Sequence, residues 1–419
     1  MLSEKQKRYT KVNMKPEHFI GLDIGTSAVR CVVGMYDPNG SNGPSIIGHG
    51  SALNQGMRRG AVVHVDDVAD AIVKAVTEAE RISGTTIKRA TVNVNGSHVE
   101  GINSQGVIAI SSANREILLE DRLRVEEAAT IVNLPNNREI VQFFAKNYSL
   151  DGQRNIKDPV GMQGVRLEVD AHIVTASSPN LRNLDSALEK AEIEPSHHTV
   201  SSLAAAEAVL TRQQKEAGTA LIDIGAGTTN LIVFEDGEVQ HVAVLPLGGQ
   251  HITNDLAIGL KTDLDIAEAV KLQHADLRAN SKKVSAMVKI GDKSHSFPVE
   301  TIELIVEARV EELLEYVDKE LHKIKRSRKL PGGIVIVGGT AKIPGIDEFT
   351  REKLELSARV GVLHNITGLA DTVEDASFTV VVGLMLLDML LLPDLPPQRG
   401  SASQSAKGLL TSVIKRFGR

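Results

Sequence analysis

The stretch that most restricts what this chain can fold into is Leu221 to Phe234, LIDIGAGTTNLIVF. A β-rich apolar run ends at Asp223. The turn Gly225-Ala226-Gly227 follows with the hydroxyls of Thr228 and Thr229, and a second β-rich run leaves, which is the pattern of a tight hairpin. Such a tip suits a phosphate chain: glycine lets the backbone approach a polyanion, successive N–H groups form a concave anion site, and the hydroxyls add donors. Asp223 would face those phosphates, where a bare carboxylate is repulsive unless it holds a cation or a water. Taken alone, a Gly-Thr-Thr turn is equally an ordinary β-turn. The layout, however, occurs twice. Phe19 to Met35, FIGLDIGTSAVRCVVGM, has an apolar strand, Asp23-Ile24-Gly25, the hydroxyls of Thr26 and Ser27, and another apolar strand. Repeated units imply repeated domains, and two such hairpins facing each other could clamp one nucleotide from both sides.

At 419 residues and 42% hydrophobic content the chain can bury large cores, and its length suggests about two to four domains. A net charge of −6 argues against general nucleic-acid binding, which prefers a basic surface. The single cysteine, Cys31, cannot form an internal disulfide, which fits a reducing cytoplasm, and its place on an apolar strand reads as core packing. Met1 to Lys15 is polar and basic, without the apolar centre of a secretory signal. The longest apolar stretch, Val380 to Leu392, is too short to span a membrane and reads as a buried helix.

In chain order, residues 1–16 form a basic arm, and an amphipathic helix spans Asp67 to Ile82 with Val68, Ile72, Val76 and Ala79 inward. Residues 88–164 read as a compact α+β insert in which Asp121, Glu126 and Glu127 form a solvated helix face. The chain is expected back in the first domain with the strand Arg166 to Thr175. Ser201 to Leu210, SSLAAAEAVL, reads as a closely packed crossing between domains, with Glu207 either a cleft carboxylate or an ordinary helix residue. His197-His198 lacks further ligands at metal-binding spacing. Leu247-Gly248-Gly249-Gln250 is another bend that could meet phosphate or ribose. In the helix opened by Thr262-Asp263, Ile266, Val270 and Leu272 are expected inward. Glu268 and Lys271 share an exposed flank, where they could bracket a nucleoside or simply form a surface ion pair. Glu300 to Arg328 is a long helix with acids first and bases last, as the helix dipole favours. Ile334 to Gly345, IVIVGGTAKIPG, runs a buried strand into Gly338-Gly339-Thr340 and places N–H groups beside a ligand. Neither Gly-x-Gly-x-x-Gly nor a P-loop is present.

Asp-Ile-Gly-Thr-Ser near the N-terminus, Asp-Ile-Gly-Ala-Gly-Thr-Thr in the middle and Val-Gly-Gly-Thr-Ala near the C-terminus resemble the two phosphate motifs and the adenosine motif of the actin, Hsp70 and sugar-kinase superfamily. More narrowly, the insert, the runs Asp158 to Thr175 and Leu245 to Ala275, and the tail are similar to the FtsA family of bacterial cell-division proteins. The resemblance implies an α/β, actin-like (ribonuclease H-like) fold of two lobes around a nucleotide cleft. Residues 17–87 with 169–200 and 368–392 would form the first lobe, 88–168 an FtsA-type inserted subdomain, 201–250 with 299–367 the second lobe, and 251–298 a small subdomain. It further implies ATP and Mg2+ as ligands. Gly25, Thr26, Ser27, Gly225, Gly227, Thr228 and Thr229, with Gly248 and Gly249, would hold phosphates or ribose. Glu268, Lys271, Gly338, Gly339 and Thr340 would hold the nucleoside. Asp23 and Asp223 would hold hydrated Mg2+, with Asp223 also the candidate catalytic carboxylate. Asn230 stands where some superfamily members carry an acid, so hydrolysis would be weak at most. The implied partners are the FtsZ C-terminal tail, reached through 251–298, further copies of the chain in a filament, other divisome proteins and the inner membrane.

The tail argues for the membrane on its own composition. Pro393 to Ala406 is a Pro- and Ser-rich linker. In Lys407 to Arg419, helical spacing puts Leu409, Leu410, Val413, Ile414 and Phe417 within an arc of about 140°, with Lys415 and Arg416 on the other side. That is the composition of an interfacial helix on anionic lipid; docking on the protein's own core is the alternative. A metabolite kinase of the same superfamily and a PilM-like pilus assembly scaffold are the competing functions. The kinase would need a catalytic base and substrate pocket for which no candidate stands out.

Overall fold

The computed structural model describes residues 18–36, 43–112, 114–278, 284–364, 366–369 and 373–391. The basic arm, the linker and the amphipathic helix expected at 1–16, 393–406 and 407–419 lie outside the described residues.

The chain opens with β1 (His18–Ile24), β2 (Ala28–Met35) and β3 (Ser45–Leu53), consecutive antiparallel neighbours. A small turn of β4 (Met57–Arg58) and β5 (Ala61–Val62) precedes α1 (Val65–Ser83), in which Val68, Ile72, Val76 and Ala79 are buried. β6 (Arg89–Val94) runs parallel to β1. Next come β7 (Glu100–Ala109), α2 (Leu119–Thr130), β8 (Arg138–Leu150), β9 (Gln153–Ile156) and β10 (Arg166–Ser177), a separate sheet of order β7-β10-β8-β9 under one helix. α3 (Ser178–Lys190) leads to β11 (Glu194–Val200), parallel to β6, and α4 (Ser201–Val209) and α5 (Arg212–Ala217) follow.

The second half repeats the first. β12 (Thr219–Ile224), β13 (Thr229–Glu235) and β14 (Glu238–Leu245) are antiparallel neighbours. α6 (Gly249–Leu260), α7 (Leu264–His274), the hairpin β15 (Ser285–Ile290) and β16 (Lys293–Pro298), and α8 (Val299–Lys323) intervene. β17 (Ile334–Val337) then runs parallel to β12, α9 (Ile346–Leu354) follows, and β18 (Ala358–Val360) runs parallel to β17. Finally β19 (Thr367–Gly368) joins β3, and α10 (Thr379–Leu391) closes the described chain. The orders β3-β2-β1-β6-β11 and β14-β13-β12-β17-β18 are one topology used twice, with the same strand directions. The duplicated Asp-Ile-Gly hairpin is therefore the visible part of a duplicated lobe.

The lobes exchange their last helices. α4, which follows the first sheet, packs on β12 and β13, while α10, which follows the second, packs on β1 and β6, and the two cross each other between the sheets. Small residues make this possible: a Cβ added at Gly383 would lie 1.8 Å from the Ala204 carbonyl oxygen. Asp388 pins α10 from the other side, accepting the Ile20 N–H at 3.0 Å and the Thr91 hydroxyl at 2.7 Å. Burial pushes this carboxyl up, and those bonds draw it part of the way back.

Both expected edges of the insert move. β6 holds Thr91 to Asn93 within the first-lobe sheet, so that unit begins after Val94 and not at 88. Arg166 to Thr175 does not return to the first lobe; β10 is an inner strand of the insert, paired with β7 and β8 as far as Ser177. The acids of α2 are corrected too. Asp121 and Glu126 are buried: Glu126 accepts from Arg122 Nε one turn back on the same helix at 3.0 Å and from the Tyr148 hydroxyl at 2.5 Å, a partner that only the tertiary fold supplies. Leu272 points outward at 74% exposure, whereas Ile266, Ala267 and Val270 fill the core. The insert docks on β14, whose Val242 N–H donates to His172 Nε2 at 3.0 Å while His172 Nδ1 faces Asn103 Oδ1 at 2.9 Å. The ring is thus neutral with its proton on Nδ1, and burial, then His241, hold its pKa down to about 3.

Gly383→Ala forces a side chain against the Ala204 backbone, which no rotamer can relieve, and is expected to lower the unfolding free energy by about 1–3 kcal/mol. Urea denaturation measures this, and an unchanged midpoint would contradict the close crossing of α4 and α10.

Candidate functional site

The two hairpin tips meet. Each closes in the same way, with the Gly25 N–H donating to the Ala28 carbonyl at 3.1 Å and the Gly225 N–H to the Thr228 carbonyl at 2.9 Å. A Cβ at Gly227 would fall 2.9 Å from Thr26 Oγ1 and 3.0 Å from its Cγ2, so only glycine fits this contact between lobes. Asn95 Nδ2 donates to Thr228 Oγ1 at 3.1 Å, a second bond across the joint.

Asp23 and Asp223 lie at the base of these tips, 8% and 5% exposed. Burial raises Asp23 to about 7 against the relief offered by Arg30, with Asp223 raising it further. Burial likewise raises Asp223 to about 6, opposed by the Asn230 amide and Arg30. Each carboxylate has an asparagine that orients it. Asn93 Nδ2 donates to Asp23 Oδ1 at 2.8 Å and to Ser201 Oγ at 3.1 Å, while Asn93 Oδ1 accepts the Ile24 N–H at 2.7 Å. Asn230 Nδ2 donates to Asp223 Oδ2 at 2.9 Å. Neither aspartate has an ion-pair partner within bonding distance among the described residues. Two buried, oriented carboxylates short of positive charge are a donor set that fits a hard, hydrated divalent cation such as Mg2+.

The other corner gathers residues from four distant segments. Lys271 Nζ donates to Glu268 Oε2 at 2.6 Å, to Thr253 Oγ1 at 2.8 Å and to the Gly249 carbonyl at 3.2 Å. Thr340 Oγ1 donates to the Gly225 carbonyl at 3.3 Å, and a Cβ at Gly249 would lie 2.6 Å from that hydroxyl. Gly338 has φ +90°, and a Cβ there would strike Asp223 Oδ1 at 2.5 Å, so the position requires glycine twice over. Gly339 has only Ser377 Cβ near, at 4.0 Å, and its surface is open. Glu268 and Lys271 are therefore an ion pair, and it is placed at this corner of the second tip.

Several expected contacts are placed differently. Thr229 is fully buried and its hydroxyl donates to the Leu247 carbonyl at 2.8 Å, so it braces the tip from within and offers no free donor. Gly248 and Gly249 stand behind the second tip: the Gly249 and Gln250 N–H groups donate to the Gly225 and Ala226 carbonyls at 2.9 and 2.8 Å, which turns them away from a ligand between the lobes. Ser27 is exposed, and its carbonyl takes the Asn54 N–H. Glu207 pairs with Lys215, and no cluster of three metal-ligating side chains occurs among the described residues. Arg30, Asn93 and Thr253 join the site without having been expected. For Arg30 the signal is available, a lone cation in the apolar strand AVRCVVGM that hairpin register sets opposite Asp23. Its guanidinium lies 5.4 Å from the Phe378 ring centre, and its Nε is buried without a bond.

Two family models match the chain: cell division protein FtsA over residues 220–383 and the SHS2 domain inserted in FtsA over residues 96–175. The second span falls on the unit that begins after β6 and ends with β10. The chain is similar to the cell division protein FtsA of Bacillus subtilis (strain 168), 38% identical over 373 residues covering 88% of this chain and 83% of that protein. It is similar as well to that of Pseudomonas aeruginosa, 33% identical over 371 residues and 88% of each. Among solved structures, it resembles the PilM-PilN type IV pilus biogenesis complex with a TM-score of 0.63 at 18% identity, covering 88% of this chain and 98% of that one. MreB5 of Spiroplasma citri bound to ADP gives 0.53 at 14% identity, covering 88% and 95%. The MamK double helical filament gives 0.51 at 15%, covering 90% and 99%. At these identities the structural likenesses speak for the fold alone, and that fold is actin-like.

The carboxyl shifts give a signed pH dependence. A pKa raised on folding means that the folded chain keeps protons the unfolded chain has released, so its stability falls as pH rises from about 4 to about 7. His172, shifted downward, contributes in the opposite sense, so the test is a difference between two proteins. Asp23→Asn is expected to gain stability over the parent progressively across that window in ligand-free thermal unfolding. A difference that does not change with pH would contradict the buried, proton-holding Asp23.

Proposed function

This chain belongs to the FtsA family of cell division proteins, and from that membership we propose that it binds ATP with Mg2+, assembles into filaments on the cytoplasmic face of the cell membrane at the division site, tethers the FtsZ ring there and recruits further divisome proteins. The observation that carries the nucleotide part is the meeting of two equivalent hairpin tips over two buried, facing aspartates. Phosphates would lie against Gly25, Thr26, Gly225, Gly227 and Thr228, and the nucleoside against Glu268, Lys271, Gly339 and Thr340. Asp23 and Asp223, oriented by Asn93 and Asn230, would hold hydrated Mg2+, which supplies charge neutralisation beside the phosphates when bound. Asn230 cannot act as a general base, so ATP hydrolysis is weak in this reading. The ADP-bound state of MreB5, of the same fold, supports a nucleotide in this cleft.

Assembly and attachment draw on different residues. The MamK filament supports self-association of the fold. Ile258, Leu264, Leu272 and Met287 of α6, α7 and β15 are 77%, 57%, 74% and 66% exposed, an apolar surface on which the FtsZ tail would seat. No helix among the described residues is long and apolar enough to cross a membrane. The sequence Lys407 to Arg419 supports peripheral attachment, each copy of this segment binding weakly and the filament multiplying it.

Three outcomes follow. Asp223→Asn is expected to weaken Mg2+-dependent ATP binding by about tenfold or more in calorimetry, and unchanged binding would refute the metal assignment. Deleting 407–419, or Ile414→Glu, is expected to abolish pelleting with anionic liposomes while ATP binding persists, and unchanged pelleting would reject the tether. In the same full-length protein, capture by an FtsZ tail peptide and not by a pilus-protein tail separates the division adaptor from a pilus scaffold.

A further inference from the structure

We propose that Arg59 is a further nucleotide contact, a cation carried by the first lobe that reads the terminal phosphate of a nucleoside triphosphate and sets a preference for tri- over diphosphate. The assignment rests on the nucleotide reading of the cleft and deepens it with a residue that belongs to none of the glycine motifs.

Position is the first argument. The turn between β4 and β5 sits on both hairpin tips at once: the Gly60 N–H donates to Thr26 Oγ1 at 3.0 Å, and a Cβ at Gly227 would lie 3.1 Å from the Arg59 Cα. The cleft also has a direction. The Glu268–Lys271 corner meets the second tip at Gly225, through Gly249 and Thr340, whereas Gly227, two residues on, meets Thr26 and Arg59. A nucleotide with its base at that corner and its phosphates along the tips has its last phosphate beneath the Arg59 turn.

Backbone and charge are the second and third arguments. Arg59 has φ +50°, a left-handed conformation that costs a non-glycine residue energy, and such outliers gather where a side chain must be aimed. The surroundings enforce it. The Ser97 N–H donates to the Arg59 carbonyl at 3.3 Å, and Gly60 lies so close to Gly96 that a Cβ there would be 2.5 Å from the Gly96 Cα. The side chain is exposed, and no carboxylate pairs with it among the described residues. Burial, then Arg309 and Arg59, hold down the pKa of His251 in the first turn of α6. A terminal phosphate is the most highly charged group of the ligand, and arginine matches it with two parallel N–H donors.

The test is calorimetric binding of ATP and ADP, each with Mg2+, to the full-length parent, Arg59→Gly and Arg59→Lys. Glycine suits the left-handed turn, so this variant removes the side chain and keeps the fold. Arg59→Gly is expected to lower ATP affinity about tenfold while ADP affinity stays within about twofold, and Arg59→Lys to recover part of the loss. An unchanged ATP-to-ADP ratio in Arg59→Gly, a parallel loss for both nucleotides, or a parent that binds ATP and ADP alike overturns the assignment. A parent that binds neither nucleotide refutes the cleft reading itself.

Discussion

Everything in this molecule is arranged around two carboxylates taken out of water and set facing each other where two lobes touch. Burial alone makes ionised Asp23 and Asp223 unfavourable, and Asp223 adds to the cost of charging Asp23. The protein offsets that cost in part with single amide donors from Asn93 and Asn230 and the nearby charge of Arg30. What remains is an unsatisfied demand for positive charge, which a divalent cation accompanying a polyphosphate would meet. A cation bound between the two carboxylates would offset that burial cost and so stabilise the folded chain.

Because α4 and α10 are exchanged between the lobes, one core cluster runs through both sheets, and the two helices cross in close contact at Gly383 and Ala204. β14 carries the consequence outward. One end leads to Leu247 and Gly248, which brace the second tip, while Val242 along the same strand holds His172 of the insert. The segment before α10 approaches the Gly338-Gly339-Thr340 loop, with the Gly338 N–H donating to the Ala376 carbonyl at 3.1 Å. Cleft, insert and the helix that leads toward the tail therefore share one set of backbone contacts.

Both hairpins and the Gly338-Gly339-Thr340 loop were legible in the sequence because their chemistry is local: a strand-ending aspartate, glycines where the backbone must come close, and hydroxyls beside them. The duplication was legible for the same reason. The edges of the insert were not, since β6 and β10 alternate polar and apolar residues like any half-exposed strand and only long-range pairing decides which sheet owns them. Glu126 looks like a solvated helix acid paired with Arg122 one turn away until the fold brings Tyr148 to it. Thr229 and Gly249 carry the right chemistry for phosphate, yet the fold uses them to hold the tip. Arg59 was illegible because nothing in MRRG announces a left-handed arginine; only its contact with Thr26 and Gly227 makes it stand out.

The central claim is that one polyphosphate and its cation occupy the joint between the two tips. Crystals grown with a non-hydrolysable ATP analogue and Mn2+ in place of Mg2+ would test it directly through the anomalous signal of the metal. The account predicts a single strong peak between Asp23 and Asp223, about 4–5 Å from each carboxylate as expected for contact through bound water, with phosphates against Gly25 and Gly225. A peak elsewhere, or nucleotide density outside the joint, would contradict it.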